Sequence, residues 1–302
     1  MFPSSLSFFV VAGPTAVGKS EVAVALAERC QGEIVGADAF QIYRQLDVLT
    51  AKPPRELIAR VPHHLIGEIP IDRPFHVAEY LALAKQRVAE IQSRGRTPIV
   101  VGGTGLYLRA LTHGLADLPG PDAALRAELS SLSLVELQQR LATLDQAASS
   151  QIDVQNPRRV IRAIEICLLT GRPFSSFREQ WQNAVEIRGA LLDRSRDDLY
   201  ARIDLRTRAM FAANVEEEVR LCPHAGPTAS QAIGYRQLRE LLDGQLSRED
   251  CIAQIQQATR RYAKRQLTWF RRETYLKNIP ISPLATVDEI VACVVESAVE
   301  QP

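Results

Sequence analysis

The eight residues Gly13, Pro14, Thr15, Ala16, Val17, Gly18, Lys19 and Ser20 constrain this chain more than any other stretch. They fill the pattern G-x-x-x-x-G-K-[ST], and their flanks suit it. An apolar run at 7–12 stops at Gly13-Pro14, as a buried strand would. The segment EVAVALAERC at 21–30 combines helix formers with an apolar stripe. Strand, glycine-bounded loop and helix, in that order, predict an anion cradle. Gly13 and Gly18 let the backbone turn inward, so that successive N–H groups aim at one anion. The helix dipole adds positive potential at its N-terminus. Lys19 supplies a full charge, and the Ser20 hydroxyl can join the shell of a Mg²⁺ ion. Such a loop recognises a chain of phosphates. What the phosphates are attached to is left open.

Further strands are predicted at 33–36, running on to Asp38, and at 97–103, with a helix over 75–94 closed by Gly95. Strand and helix alternate, which predicts an α/β fold: a P-loop NTPase-like parallel sheet flanked by helices. From 118 to 186 the periodicity becomes helical, with turn-rich segments at 118–121 and 171–176. This predicts a helical insertion domain at 118–186 within a catalytic core of 1–117 and 187–302. A strand at 187–193 would return the chain to the core. The remainder reads as largely helical, with one helix through 197–219 and a long run over 248–276.

With 302 residues, 46% hydrophobic and 24% charged, the chain can bury a sizeable core and is not disordered as a whole. A net charge of +1 announces no nucleic-acid partner in bulk, so any basic surface must be local. The five cysteines form no C-x-x-C pair and read as reduced thiols of a cytoplasmic protein. No apolar run reaches the roughly 18 residues of a membrane span. The N-terminal apolar run has no basic segment before it, so no signal peptide is expected.

Asp38 ends the predicted second strand. Open parallel sheets bind ligands at the carboxyl ends of their strands, so Asp38 and the loop should share one crevice. A carboxylate there can hold magnesium, accept a proton from a nucleophile, or simply cap the turn that follows. The third strand ends in Gly102-Gly103-Thr104-Gly105, which permits close backbone approach and adds a hydroxyl to the same rim. No apolar run ending in Asp or Glu follows it, as the magnesium strand of an ATPase would. The run RRYAKRQLTWFRR at 260–272 has six positive side chains and no acid. At helical spacing Arg261, Arg265, Thr268 and Arg272 form one stripe, while Ala263, Leu267 and Phe270 face the core. Tyr262 and Trp269 interleave aromatics with the charge, which suits phosphate contacts and stacking on an unpaired base. In NPRRVIR at 156–162, Arg158 and Arg159 open a helix, where cations oppose the dipole unless an anion is present. His63 and His64 have no partners at metal-ligand spacing, and Glu216, Glu217 and Glu218 read as a solvated face.

Together GPTAVGKS, D-A-x-Q-x-Y-R at 38–44, TAKP at 50–53, VGGTGLYLRAL at 101–111, RRVIRA at 158–163, QAIGYRQL at 231–238 and AKRQLTWFRR at 263–272 resemble the tRNA dimethylallyltransferases. These are also called tRNA isopentenyltransferases, and the absence of a zinc-finger tail suits their bacterial type. The resemblance implies that residues 13–20 hold the diphosphate of dimethylallyl diphosphate, with Mg²⁺ at Ser20. It implies transfer of the dimethylallyl group to N6 of the adenosine just 3′ of the anticodon, by a cytoplasmic monomer that grips the tRNA anticodon stem-loop. Asp38 would be the general base, Thr104 would orient the diphosphate or the adenine, and Lys19, Arg159 and Arg206 would stabilise the leaving diphosphate. RNA contacts carried over include Asp38, Ala39, Phe40 and Gln41, with Phe40 and Gln41 lining the target base, and Thr104. In the insertion they are Arg126, Arg158, Arg159, Val160, Ile161 and Arg162. Beyond it come Gln231, Gly234, Tyr235 and Arg236, then Lys264, Arg265, Gln266, Thr268, Trp269 and Arg271 on the basic helix. The chain departs from the family pattern at Leu49, usually glycine, at Arg158, usually glutamine, and in a short segment at 212–230. Three other readings share some of these features: a small-molecule P-loop kinase, a prenyltransferase of free adenine nucleotides, and a non-catalytic RNA-binding module.

Overall fold

The computed structural model describes residues 8–180 and 187–300. The chain divides into two compact units, one of Met1–Thr112 with Ala184–Pro302 and one of His113–Asn183. Ser7 of the expected first strand and 181–186 of the expected insertion lie outside the described residues. In chain order the first unit begins with β1 (Phe9–Ala12), α1 (Lys19–Cys30), β2 (Gly32–Gly36), α2 (Arg55–Ile58), β3 (His63–His64), α3 (Val77–Ser93), β4 (Thr97–Gly102) and α4 (Gly105–His113). The second unit holds α5 (Ala123–Ser130), α6 (Leu134–Leu144), α7 (Gln146–Gln151) and α8 (Pro157–Thr170). The first unit resumes with β5 (Arg188–Arg194), α9 (Arg196–Ala212), α10 (Val215–Arg220), α11 (Tyr235–Leu242), α12 (Arg248–Phe270), β6 (Leu276–Ile281) and α13 (Val287–Glu300).

The strands form one parallel sheet in the order β3-β2-β4-β1-β5-β6. Helices cover both faces, so the central strands are apolar throughout instead of alternating with polar residues. The period of two still sorts them. Val10 and Ala12 enter one core with Tyr80, Val88 and Leu108. Phe9 and Val11 enter the other with Val22, Leu26, Ile290 and Val294. Register then builds the rim. Ala12 lies opposite Gly102 and Gly36 opposite Val101, so the loops after β1, β2 and β4 leave the sheet side by side. The Ala37 N–H donates to the Val101 carbonyl at 2.7 Å and the Thr104 N–H to the Ala37 carbonyl at 3.2 Å, tying two of these loops together.

The tail departs from the sequence expectation. It contains the strand β6, whose buried residues Leu276, Ile279 and Ile281 keep no clean period of two. Pro280 offers no N–H and suits its place at the sheet edge. The helix expected through 197–219 is broken, because Asn214 adopts φ 59° between α9 and α10. Asparagine tolerates that left-handed conformation better than most residues.

The second unit packs its helices around Leu129, Leu137, Leu141, Val160 and Ile164. Its helix starts are written locally. Asp122 caps α5, Ser133 and Glu136 form a capping box on α6, and Asn156 caps α8 ahead of Pro157. Glu165 is fully buried at its centre. It accepts from Arg126 at 2.8 and 2.9 Å, from Arg162 at 2.5 Å and from the Asp122 N–H at 2.8 Å. Burial raises the pKa of this carboxyl, but the bonds from Arg126 and Arg162 outweigh burial and leave it below the ordinary range.

Candidate active site

The cradle begins where β1 stops. Gly18 caps α1 with φ 102°, a conformation that L side chains avoid, and this turns the loop back over the helix N-terminus. Val17 is buried beneath it, and its carbonyl accepts from the buried Arg194 guanidinium at 3.0 Å. Lys19 folds back so that its ammonium donates to the Gly13 and Pro14 carbonyls at 3.0 and 2.8 Å. Burial pulls its pKa down to about 8, against the opposing pull of Asp38. From α9, Arg206 donates to the Thr15 hydroxyl at 2.7 Å and Arg202 to the Ala16 carbonyl at 2.8 Å. Burial lowers Arg206 to about 10, again opposed by Asp38.

Asp38 stands at the end of β2 as the sequence predicts. Its Oδ1 accepts from the Phe40 and Gln41 N–H groups at 2.9 and 3.3 Å, so the carboxylate does cap the following turn. Its Oδ2 has no hydrogen-bond partner among the described residues, and the carboxylate also lines the pocket over the cradle. The Thr104 hydroxyl accepts from the Ala39 N–H at 3.0 Å. The resulting pocket holds about 440 Å³ and brings together Thr15, Lys19, Ser20, Asp38, Gln41, Arg202 and Arg206. Cations, a carboxylate and a hydroxyl thus converge at the carboxyl edge of the sheet. No cluster of three or more His, Cys, Asp or Glu suits a metal among the described residues. Ser20 lines this pocket, and its hydroxyl is the kind of ligand that joins a magnesium shell made mainly of phosphate oxygens.

Several expected RNA contacts have other employment. Gln266 is 5% exposed. Its Oε1 accepts from the Thr15 N–H at 2.9 Å and its Nε2 donates to the Gly103 carbonyl at 2.8 Å, so it braces the cradle. A Cβ on Gly103 would lie 2.2 Å from that Nε2, which explains the glycine. Tyr235 is buried and its hydroxyl donates to the Cys222 carbonyl at 2.5 Å. Val160 is wholly buried in the second unit, and Arg126 and Arg162 are committed to Glu165. The Gln41 amide donates to the Thr50 and Ala51 carbonyls at 3.1 and 2.9 Å. Arg158, Arg159, Gln231, Arg236, Lys264, Arg265, Thr268 and Arg271 are exposed, while Ala39, Phe40 and Ile161 are half-buried and Gly234 is buried. Trp269 is half-buried, packed where a Cβ on Gly105 would meet its ring at 2.4 Å.

The reading of Glu216, Glu217 and Glu218 as a solvated face holds for the exposed Glu217 and is corrected for Glu216 and Glu218. The Glu218 carboxylate accepts from the Val48 and Leu49 N–H groups, both at 2.8 Å, and Glu216 pairs with Arg248 at 2.8 Å. Glu218 thereby fixes the loop that carries Leu49 and the pocket wall after it. His64 pairs with the buried Glu33 at 2.7 Å, a structural contact. Arg202 is absent from the sequence expectation. Its one signal is its place a helical turn before Arg206 on the same face.

The sequence profile described as IPP transferase matches residues 41–273. The tRNA dimethylallyltransferase of Geobacter sulfurreducens is 45% identical over 285 residues, 91% of this chain and 92% of that one. That of Myxococcus xanthus is 44% identical, over 87% and 89% of the two chains. A solved tRNA isopentenylpyrophosphate transferase from Bacillus halodurans aligns with TM-score 0.70 and 35% identity over 97% of each chain. A eukaryotic dimethylallyltransferase, crystallised acting on tRNA, aligns with TM-score 0.76 and 25% identity over 90% of this chain and 73% of that one.

Proposed function

The chain belongs to the IPP transferase family, and from that premise we propose that it transfers a dimethylallyl group from dimethylallyl diphosphate to N6 of the tRNA adenosine 3′-adjacent to the anticodon. The observation that carries this reading is the meeting of Asp38 with Lys19 and Arg206 in one pocket, close enough that the carboxylate opposes the fall in both cations' pKa.

The exocyclic amine of adenine is a weak nucleophile because its lone pair is delocalised into the ring. Asp38 Oδ2 is the acceptor for one of its protons. As that proton leaves, N6 forms a bond to the allylic carbon of the donor. The carbon–oxygen bond breaks, and its electron pair departs with the diphosphate. Charge grows on the leaving oxygens, and Lys19, Arg206 and Arg202 line the pocket that receives them and supply positive charge there. Magnesium at Ser20, when bound, neutralises part of that charge. Thr104 orients the reacting groups.

The adenosine must leave its stack, which costs less from an anticodon loop than from a duplex. The exposed Lys264, Arg265, Thr268 and Arg271 of α12, with Arg158 and Arg159, grip the anticodon stem-loop phosphates. We take the protein to act as a monomer in the cytoplasm. No helix among the described residues is long and apolar enough to cross a membrane.

Incubation of the protein with unmodified tRNA and either dimethylallyl diphosphate or ATP tests this reading. Mass analysis of the nucleosides is expected to find a prenylated adenosine with the first donor alone. Phosphate transfer from ATP to a small alcohol, without prenyl transfer, would support the kinase instead. A product on free AMP alone would support the nucleotide prenyltransferase.

A further inference from the structure

One aromatic side chain beside the reacting carboxylate has no part in the chemistry above. Tyr262 lies on α12 one helical turn before Gln266, on the side of the helix turned to the sheet edge. With Asp38, Phe40, Thr15 and Arg206 it lines a chamber that continues from the phosphate pocket. Its ring is half-buried, with the Arg265 guanidinium over it at 5.7 Å. Its hydroxyl is within reach of the Thr104 and Gln266 side chains, and Asp38 is near enough to act on it electrostatically.

Most other hydroxyls of the chamber are already spent. Thr207 donates to the Ile203 carbonyl at 2.9 Å, Thr259 to the Ile255 carbonyl at 2.7 Å and Thr50 to the Leu46 carbonyl at 2.5 Å. The Thr15 hydroxyl accepts from Arg206 at 2.7 Å. Tyr262 is therefore the neutral donor left beside Asp38. Burial, and then the negative charge of Asp38, push its phenol well above the ordinary range, so it keeps its proton. Adenine carries its N6 amine between two ring nitrogens, N1 and N7, and both are acceptors. An acceptor for the amine with a donor next to it matches that pattern. Hypoxanthine, with an oxygen at position 6, would set that oxygen against the carboxylate.

We propose that the Tyr262 hydroxyl donates a hydrogen bond to one of the two ring nitrogens that flank N6 of the target adenine, and so turns the amine toward Asp38. The inference rests on the prenyl-transfer reading. Tyr262 takes no proton in it: the N6 proton goes to Asp38, and the phenol reads the base. A site built to hydrogen-bond a substrate group discriminates against an analogue that lacks it, because its own polar group is then left unpaired.

The test measures kcat/KM for dimethylallyl transfer to anticodon stem-loop RNAs carrying adenosine, 1-deazaadenosine or 7-deazaadenosine at the target position, in the wild type and Tyr262→Phe. The variant keeps the ring and loses only the hydroxyl. It is expected to lose about three- to tenfold on adenosine and the same on one analogue. On the other analogue, which lacks the partner nitrogen, it should lose nothing further, and that analogue identifies the nitrogen read. An equal loss on all three RNAs overturns the proposal and gives Tyr262 a structural role through Thr104 or Gln266. Wild-type activity of Tyr262→Phe on adenosine also overturns it. Titration of inorganic diphosphate into the variant is expected to match the wild type; a weaker affinity would place the effect in the cradle and overturn the proposal. Absence of prenyl transfer by the wild type to the adenosine RNA would defeat the underlying reaction, a result distinct from loss of this contact.

Discussion

Lys19 is charged at some cost to the free fold. A fall from 10.5 to about 8 corresponds to at most roughly 3 kcal/mol, because the pocket is open to water. The sign gives two opposite dependences on pH. The unfolded chain holds this proton more tightly, so the stability contributed by Lys19 rises as pH goes from about 8 to 10.5. Diphosphate binds the protonated lysine, so its affinity falls by about tenfold per pH unit above 8. Calorimetric titration of inorganic diphosphate between pH 7 and pH 9 checks this, and an affinity flat across that range would contradict it. Glu218 acts on backbone alone. Glu218→Ala leaves the Val48 and Leu49 N–H groups unpaired, at a cost of about 1–3 kcal/mol. A lower melting temperature and a higher KM for the prenyl donor are expected, both measurable on the purified variant. Asp38, Thr104 and Lys19 were legible in the sequence because each sits in a short motif whose geometry is local. Glu218 was not, because its partners lie 169 and 170 residues away and nothing in a run of three glutamates marks one as buried against them.

Among the elements, α12 does two jobs on different faces. Its stripe was legible: Arg261, Arg265, Thr268 and Arg272 are exposed, while Ala263 and Phe270 are buried. Gln266 reads as part of the charged surface because it is a glutamine within a basic run. In the fold it joins the loop after β1 to the loop after β4. Gln266→Ala is expected to lower thermal stability by about 1–3 kcal/mol for each unpaired backbone group. It should raise the KM for the prenyl donor more than that for tRNA; the reverse pattern would return Gln266 to the RNA surface. Gly103→Ala should resemble it, since its Cβ would displace the same amide. The central strands were legible from dense apolar runs between turn residues. β6 was not, because an edge strand covered unevenly keeps only part of the pattern.

At the scale of the molecule, a net charge of +1 leaves RNA affinity to local cations. Arg158 and Arg159 are exposed on the second unit, while its other arginines Arg126 and Arg162 serve Glu165. Reversing both exposed charges to glutamate is expected to weaken tRNA binding by about tenfold or more and to flatten its salt dependence. Binding of inorganic diphosphate, measured by titration, should not change. The central claim is that one carboxylate and one phosphate cradle divide the reaction between them. Single-turnover transfer by Asp38→Asn, measured beside its affinity for tRNA, tests it most directly. The account predicts tRNA affinity within about twofold of the wild type and a chemical step slowed by about a hundredfold or more. An unchanged rate constant for the chemical step, with tRNA binding intact, would contradict it.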